Sequence, residues 1–198
     1  MTRARVAAIA VFGLLLAGEA HADEKDALPE TNHDRGGFWL PDYARVQTGG
    51  FVGMLTFGVG YSALNDFVNV SGSYGWVPPQ HGNPAAHLGT LTAALRPLRF
   101  SLSKNLELYP IYAGGGLFIG HNARHRPEVV EDSPTVYWGM LLFGAELALR
   151  DRPSEPILRH SLFVEEVTLG PYLDAVVKNG GMHLTSAFST AIGYRASF

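Results

Sequence analysis

Seven charged side chains and one histidine fall on the polar side of segments whose residues alternate between apolar and polar. They are Arg96, Glu107, Glu146, Arg150, Arg159, Glu165, His183 and Arg195. Carboxylates and guanidinium groups on one surface can pair into a network that fills an interior, or they can line a narrow gated pore. Because an unpaired buried charge is strongly destabilising, we expect the paired network.

Histidine and serine occur close together at two places where a nucleophilic site could form. His160 directly precedes Ser161. His183 precedes Ser186 by three positions, and the residue two positions after it is Thr185. A Ser-His-acid relay needs its groups on one surface, whereas an odd spacing in a strand places two side chains on opposite faces. The spacing therefore indicates no catalytic residues and favours a non-enzymatic protein, although it leaves the question open.

One polar loop contains residue types that bind divalent cations: His121, His125, Glu128, Glu131 and Asp132. Metal binding requires a defined geometry, and the neighbouring Arg124, Arg126 and Pro127 disfavour both a helix and a cation there. We therefore predict a solvated loop, no metal site and no cofactor. The chain has no cysteine, which excludes disulfides and thiolate metal sites.

Residues 182–198 show most clearly the pattern that positions these side chains. One face contains the apolar residues Leu184, Phe188, Ile192, Tyr194 and Phe198. The other face contains His183, Thr185, Ser189, Gly193 and Arg195. Since strand side chains alternate with period two, the pattern predicts a transmembrane strand with an apolar face toward lipid and a polar face toward an interior. A soluble barrel would show the reverse arrangement.

Similar alternation predicts an all-β fold of about eight antiparallel strands that close into a transmembrane barrel. The predicted strands are 46–61, 68–76, 87–101, 106–118, 135–150, 157–168, 171–177 and 182–198. Pro97 predicts a bulge or strand end within the third strand. In the fourth predicted strand, alternation assigns four residues to the lipid face: Leu106, Leu108, Tyr112 and Phe118.

This set of strands has one conflict. It places the longest connections on the side of both chain termini, where membrane barrels usually have short turns. If 38–46 is the first strand and 171–178 is a short helix, the usual polarity returns. The Asn179-Gly180 pair favours a hairpin after a strand at 171–177, so both arrangements remain open.

The first 22 residues have the features of a secretory signal peptide. Arg3 and Arg5 precede an apolar stretch, 6–17, which is too short to span a bilayer. Ala20 and Ala22 form an A-x-A site, so we expect cleavage after Ala22. The predicted organisation is a signal peptide at 1–22, an acidic lead with a possible plug or edge segment at 23–44, and a barrel domain at 45–198.

Tyr194 and the final Phe198 end a strand that has apolar residues at alternating positions. In this feature the chain resembles the small barrels of the bacterial outer membrane, the OmpA-like and OmpX-like class. The resemblance implies an insertion signal, formed by these two residues, that is recognised by the barrel assembly machinery. It also implies outer-membrane lipids as the surroundings of the barrel. The class covers unrelated functions, so it implies a location and a shape and no activity.

The formal net charge of −3 provides no basic field that would attract nucleic acid. We expect a non-enzymatic protein of the Gram-negative envelope with a structural, adhesion or small-solute role. Two alternatives remain open. One is an outer-membrane lipid-modifying enzyme similar to lipid A deacylases, and the other is a periplasmic ligand-binding barrel. The sequence indicates no oligomeric state.

Overall fold

The computed structural model describes residues 40–79, 84–122, 134–150, 159–179 and 184–198. These ranges contain nine strands, one α-helix (α1) and one turn of 3₁₀ helix. The strands are β1 (Tyr43–Gly49), β2 (Leu55–Ala63), β3 (Val68–Val77), β4 (Ala86–Leu95), β5 (Phe100–Ser103), β6 (Leu106–His121), β7 (Thr135–Arg150), β8 (Arg159–Leu169) and β9 (Ser189–Ser197). Helix α1 is Gly170–Asn179, and the 3₁₀ turn is Leu184–Ala187.

The strands form one closed antiparallel sheet. Hydrogen bonds join them in the order β4-β3-β2-β1-β9-β8-β7-β6-β5, and β4 also pairs with β6. Strand β5 follows β4 along the same side of β6, so the two form one interrupted strand. The predicted eight-stranded barrel is therefore confirmed, and so is the interruption near Pro97.

The first predicted strand, 46–61, is wrong because the chain reverses direction within it. Strand β1 ends at Gly49 and β2 begins at Leu55. Gly49, Gly50 and Gly53 have φ angles of +84°, +68° and +125°, a region that glycine enters without steric cost. The hydroxyl of Thr48 donates to the carbonyl of Met54 across the reversal, at 2.7 Å.

The predicted strand at 171–177 is also wrong, since these residues belong to α1. Pro171 stands at the helix start, where its fixed φ is favourable and its missing N–H costs nothing. The structure matches the alternative arrangement, in which 171–178 is a helix and the first strand precedes residue 50. This first strand begins at Tyr43 rather than at 38.

The two ends of the barrel therefore differ in their connections. One end, called the turn end below, has the connections 64–67, 104–105 and 151–158. The first residue of β1 and the last residue of β9 also lie at this end. The loop end has the connections 50–54, 78–85, 122–134 and 170–188. This is the usual polarity of a membrane barrel, because the two longest connections, 122–134 and 170–188, lie on the side away from the termini.

A bulge in β6 exchanges the inward and outward faces predicted for the residues that follow Tyr109. The register of β6 with β7 shifts between Tyr109 and Tyr112. Glu107 and Tyr109 point inward before the shift, and Tyr112 and Phe118 are also buried after it. The lipid-facing prediction for Tyr112 and Phe118 is therefore wrong. Pro110 lies within the shift and cannot donate to the ladder, which is a common cause of such bulges.

Large apolar side chains cover the outside of the barrel. Among those at least 39% exposed are Phe57, Val59, Leu91, Leu117, Leu141, Leu147, Leu162 and Ile192. Exposing this surface to water would be unfavourable by about 25 cal/mol per Å², whereas a lipid environment suits it. In β9, Ile192 and Tyr194 point outward while Gly193 and Arg195 are buried, as predicted. The strand itself is shorter than the predicted 182–198.

None of the described helices is long and apolar enough to cross a membrane.

Candidate functional site

The interior of the barrel has an apolar half and a polar half. Toward the loop end, buried apolar side chains pack together: Val52, Ala86, Leu88, Phe118, Met140, Leu142, Val167 and Leu169. Helix α1 adds Tyr172, whose ring stacks on that of Phe51 with centroids 4.6 Å apart. Toward the turn end, the interior contains the charged network described next.

The first group of this network is centred on Glu146 of β7. Its carboxylate forms an ion pair with Arg96 and lies 3.8 Å from an Nη atom of Arg195 in β9. All three side chains are almost completely buried. Arg195 also donates to the Ser62 hydroxyl and the Asn69 side-chain oxygen, both at 2.9 Å. The group thereby joins strands on opposite sides of the barrel.

Arg195 has a second kind of contact. Its guanidinium carbon lies 3.6 Å from the centroid of the Tyr43 ring, within the range of a cation–π interaction. Tyr43 is the first residue of β1, and its hydroxyl donates to the carbonyl of Val70 at 3.3 Å. The ring therefore packs between Arg195 and β3.

The second group lies nearer the turn end. Glu107 forms an ion pair with Arg99, and its other oxygen lies 3.8 Å from an Nη atom of Arg159. Arg159 forms its shorter ion pair with Asp66 and donates to the Tyr109 hydroxyl at 3.1 Å. Asp66 belongs to the turn 64–67, outside the strands. Burial by itself would raise the pKa of Asp66, but Arg159, Arg195 and Arg96 together outweigh it and lower this pKa to about 2.

The third group lies midway along the interior. Glu165 of β8 pairs with Arg45 of β1 at 3.3 Å. The Tyr112 hydroxyl donates to the same carboxylate at 3.1 Å. The Arg45 guanidinium carbon lies 4.5 Å from the centroid of the Phe163 ring. Every carboxylate in the three groups thus has at least one arginine partner.

Little open space remains among these side chains. A cavity of about 30 Å³ is bordered by residues such as Arg45, Arg96, Glu146 and Glu165, which is room for one or two water molecules. The polar half of the interior is thus filled rather than open, as expected for a barrel of eight strands.

Six of the eight predicted network residues meet in these groups: Arg96, Glu107, Glu146, Arg159, Glu165 and Arg195. Arg150 lies at the turn end of β7, half-buried, and its backbone N–H donates to the carbonyl of Asn105 at 2.8 Å. His183 lies outside the described residues.

Sequence reasoning missed several members of the network: Arg45, Asp66, Asn69, Arg99, Tyr109 and Tyr112. Arg45 lies two positions after Tyr43 and therefore on the same face of β1. This placement could be inferred only once β1 is known to begin at Tyr43. Asp66 lies in a turn, where alternation gives no information about direction.

The geometry gives no support for nucleophilic catalysis in the described ranges. His160 has its Nδ1 atom bonded to the Tyr194 hydroxyl on the outer surface, whereas Ser161 is buried inside. The two side chains point to opposite faces, as their adjacency predicts. Within the same ranges, no three His, Asp or Glu residues lie close enough to hold a metal ion together. Most of the loop with His125 lies outside them.

No protein-family model and no curated protein sequence matches the chain. Among solved structures, the chain is similar to the outer membrane enzyme PagL, with 12% identity, a TM-score of 0.40, and coverage of 78% of this chain and 95% of that one. It is also similar to the outer membrane protein Ail of Yersinia pestis in a phospholipid nanodisc, with 14% identity, a TM-score of 0.34, and coverage of 79% and 97%.

The crystal structure of Ail, the attachment invasion locus protein of the same organism, gives 12% identity, a TM-score of 0.32, and coverage of 80% and 98%. Likeness at this level assigns neither a family nor an activity. The chain is characterised by its own geometry, which is a closed eight-stranded antiparallel barrel with an apolar outer surface and a charged, filled interior.

Proposed function

We propose that the protein is a non-enzymatic barrel of the Gram-negative outer membrane that is closed to solutes and serves an envelope structural or adhesion role through its loop end. The observation that supports this most directly is the filled interior. A solute would have to break the buried pairs of Glu146 and Glu165 with arginine, and breaking one such pair costs about 3–5 kcal/mol.

The outer surface supports the membrane location. Its apolar side chains continue around the strands, and Tyr74, Trp76 and Tyr137 are exposed toward the loop end. Amphipathic rings favour the headgroup region of a bilayer. The signal peptide expected at 1–22 and the insertion signal expected at Tyr194 and Phe198 agree with export to the outer membrane and with assembly there by the barrel assembly machinery.

The loop end supports an outward-facing role. In membrane barrels the longer connections face the cell exterior, and here they include α1. Lys178 and Asp174 form an exposed pair at 2.9 Å on this helix, and Val177 is 77% exposed. A partner on the outside would therefore meet α1 and the neighbouring loops first.

Cysteine labelling tests this orientation cleanly because the natural chain has no cysteine. Lys178→Cys places a thiol at the loop end, and Lys104→Cys places one in the exposed turn 104–105. With a membrane-impermeant maleimide on intact cells, we expect Lys178→Cys to be labelled and Lys104→Cys to react only after permeabilisation. Labelling of Lys104→Cys alone in intact cells would refute the orientation.

A second measurement tests the non-enzymatic part of the proposal. Lipid A from cells that express the protein should have the same mass as lipid A from cells that do not. A mass change that disappears with His160→Ala or His183→Ala would show a lipid-modifying enzyme instead.

A further inference from the structure

Two histidines lie side by side on the outer surface of the barrel at its loop end. His87 belongs to β4 and His121 ends β6, and the two are direct partners in the register of these strands. Both residues are exposed. Directly opposed residues of antiparallel strands have Cβ atoms about 4.5–5.5 Å apart, so the two imidazoles can reach one common ligand.

Each imidazole is held through its Nδ1 atom. Nδ1 of His87 lies 2.5 Å from the hydroxyl of Tyr74, and Nδ1 of His121 lies 3.0 Å from the hydroxyl of Thr135. Thr135 is the register partner of His121 on β7. A hydrogen bond at one ring nitrogen fixes the ring orientation and directs the other nitrogen, Nε2, to a ligand, which is the usual arrangement at metal-binding histidines.

We propose that His87 and His121 bind one divalent transition-metal ion through their Nε2 atoms, with Tyr74 and Thr135 as positioning residues. Imidazole suits Cu²⁺, Ni²⁺ and Zn²⁺, and Cu²⁺ binds most tightly of these. Two protein ligands leave further coordination positions for water, so the ion is exchangeable and is not needed for folding. The site shares only His121 with the loop considered in the sequence, and it does not require the carboxylates of that loop.

A copper titration tests the site, and Trp76 provides a built-in reporter. Trp76 is the register partner of His87 on β3, so a bound Cu²⁺ lies close enough to quench its fluorescence. With the purified barrel in detergent and without an affinity tag, we expect saturable quenching and one Cu²⁺ per chain by calorimetry. Trp76→Phe should remove most of the quenching and keep the calorimetric binding.

His87→Gln and His121→Gln should each abolish this binding, because one imidazole alone does not form the chelate. His160→Gln is the matched control. His160 also points outward and also bonds a tyrosine hydroxyl through Nδ1, but its register partners are Leu149 and Ala196. This variant should bind Cu²⁺ as the natural protein does.

Electron paramagnetic resonance of the Cu²⁺ complex gives an independent signature. We expect splitting from two imidazole nitrogens, and Tyr74→Phe should preserve this splitting while weakening affinity roughly tenfold. The proposal is overturned if the double variant His87→Gln/His121→Gln binds Cu²⁺ as tightly as the natural protein, or if the spectrum shows a single imidazole nitrogen. Heat-modifiable gel migration of each variant verifies that the barrel is folded in every comparison.

Discussion

Asp66, in the turn after β2, forms an ion pair inside the barrel with Arg159, the first residue of β8. The two residues are 93 positions apart in the chain, and β2 and β3, the strands on either side of the turn, are not neighbours of β8 in the sheet. Leu64, Asn65 and Asp66 all have positive φ angles, so this turn adopts a backbone conformation that non-glycine residues seldom adopt. The ion pair helps to keep the turn folded against the interior.

This pair predicts an acid-dependent loss of stability. The pKa of Asp66 is about 2 in the folded protein, against an ordinary value of 3.8, so its ionised form is stabilised by folding. The contribution, about 2 kcal/mol, is fully present above pH 4 and is lost as the pH falls through 2. Urea unfolding in lipid vesicles between pH 6 and pH 2 measures it.

Asp66→Asn should remove this part of the pH dependence and lower the stability at pH 6. Asp174→Asn in α1 is the control, because its partner Lys178 is exposed and such surface pairs contribute little. An unchanged pH profile for Asp66→Asn would contradict the assignment.

Glu146 should be the most sensitive position of the network. Glu146→Gln removes the negative charge that neutralises the buried Arg96 and Arg195. We expect this change to lower the free energy of unfolding by about 3–5 kcal/mol. Glu166→Gln is the matched control. Glu166 belongs to the neighbouring strand, and its carboxylate accepts a hydrogen bond from the exposed Thr190 at 2.5 Å, so the change should be small.

The double variant Arg96→Gln/Glu146→Gln should be less destabilised than the two single changes added together, since it removes both charges of one pair. Strict additivity would indicate that the two groups do not interact in the folded barrel.

The reversal between β1 and β2 depends on Gly49. A Cβ atom at this position would lie 2.5 Å from the carbonyl oxygen of Thr190, and the φ angle of +84° is unfavourable for alanine. We therefore expect Gly49→Ala to reduce the folded fraction in vesicles. Gly139→Ala should be tolerated, because nothing lies within 4 Å of its added Cβ. Equal folded fractions for the two variants would show that the reversal is not constrained in this way.

The insertion signal that we propose at Tyr194 and Phe198 predicts a defect in assembly without a matching defect in stability. Phe198 is 64% exposed, and its backbone N–H donates to the carbonyl of Asp42 at 2.9 Å. Phe198→Ser should therefore slow assembly into the outer membrane in cells and leave urea unfolding of the purified barrel nearly unchanged. Leu149→Ser, at a similarly exposed position, should assemble at the normal rate, and a shared defect would contradict a specific role for Phe198.

Alternation correctly predicted which side chains of β7, β8 and β9 face outward, because the register of these strands with one another is unbroken. It failed at 46–61 because Phe51 has the same parity as Leu55 and Phe57, so the pattern continues through the reversal. The glycines at 49, 50 and 53 were the available signal. In β6, the bulge near Pro110 changes whether odd or even residues face inward. The periodic pattern of the sequence does not reveal on which side of the proline this change occurs.

The network could be predicted only in part for a related reason. Charges within regular strands, such as Glu146 and Arg195, were assigned to the interior by parity. Their partners come from elsewhere, since Arg45 depends on where β1 begins and Asp66 belongs to a turn. Pairing across a barrel is set by closure of the sheet, which depends on the register of every strand at once.

We propose that the charged interior closes the barrel to ions and solutes. Current recordings across planar lipid bilayers test it most directly, with flotation of the same preparation on lipid vesicles and heat-modifiable gel migration to verify that folded protein has inserted. We expect no stepwise conductance from the inserted barrel at any applied voltage that the bare bilayer withstands. Reproducible unitary conductance steps from folded, inserted protein would contradict it.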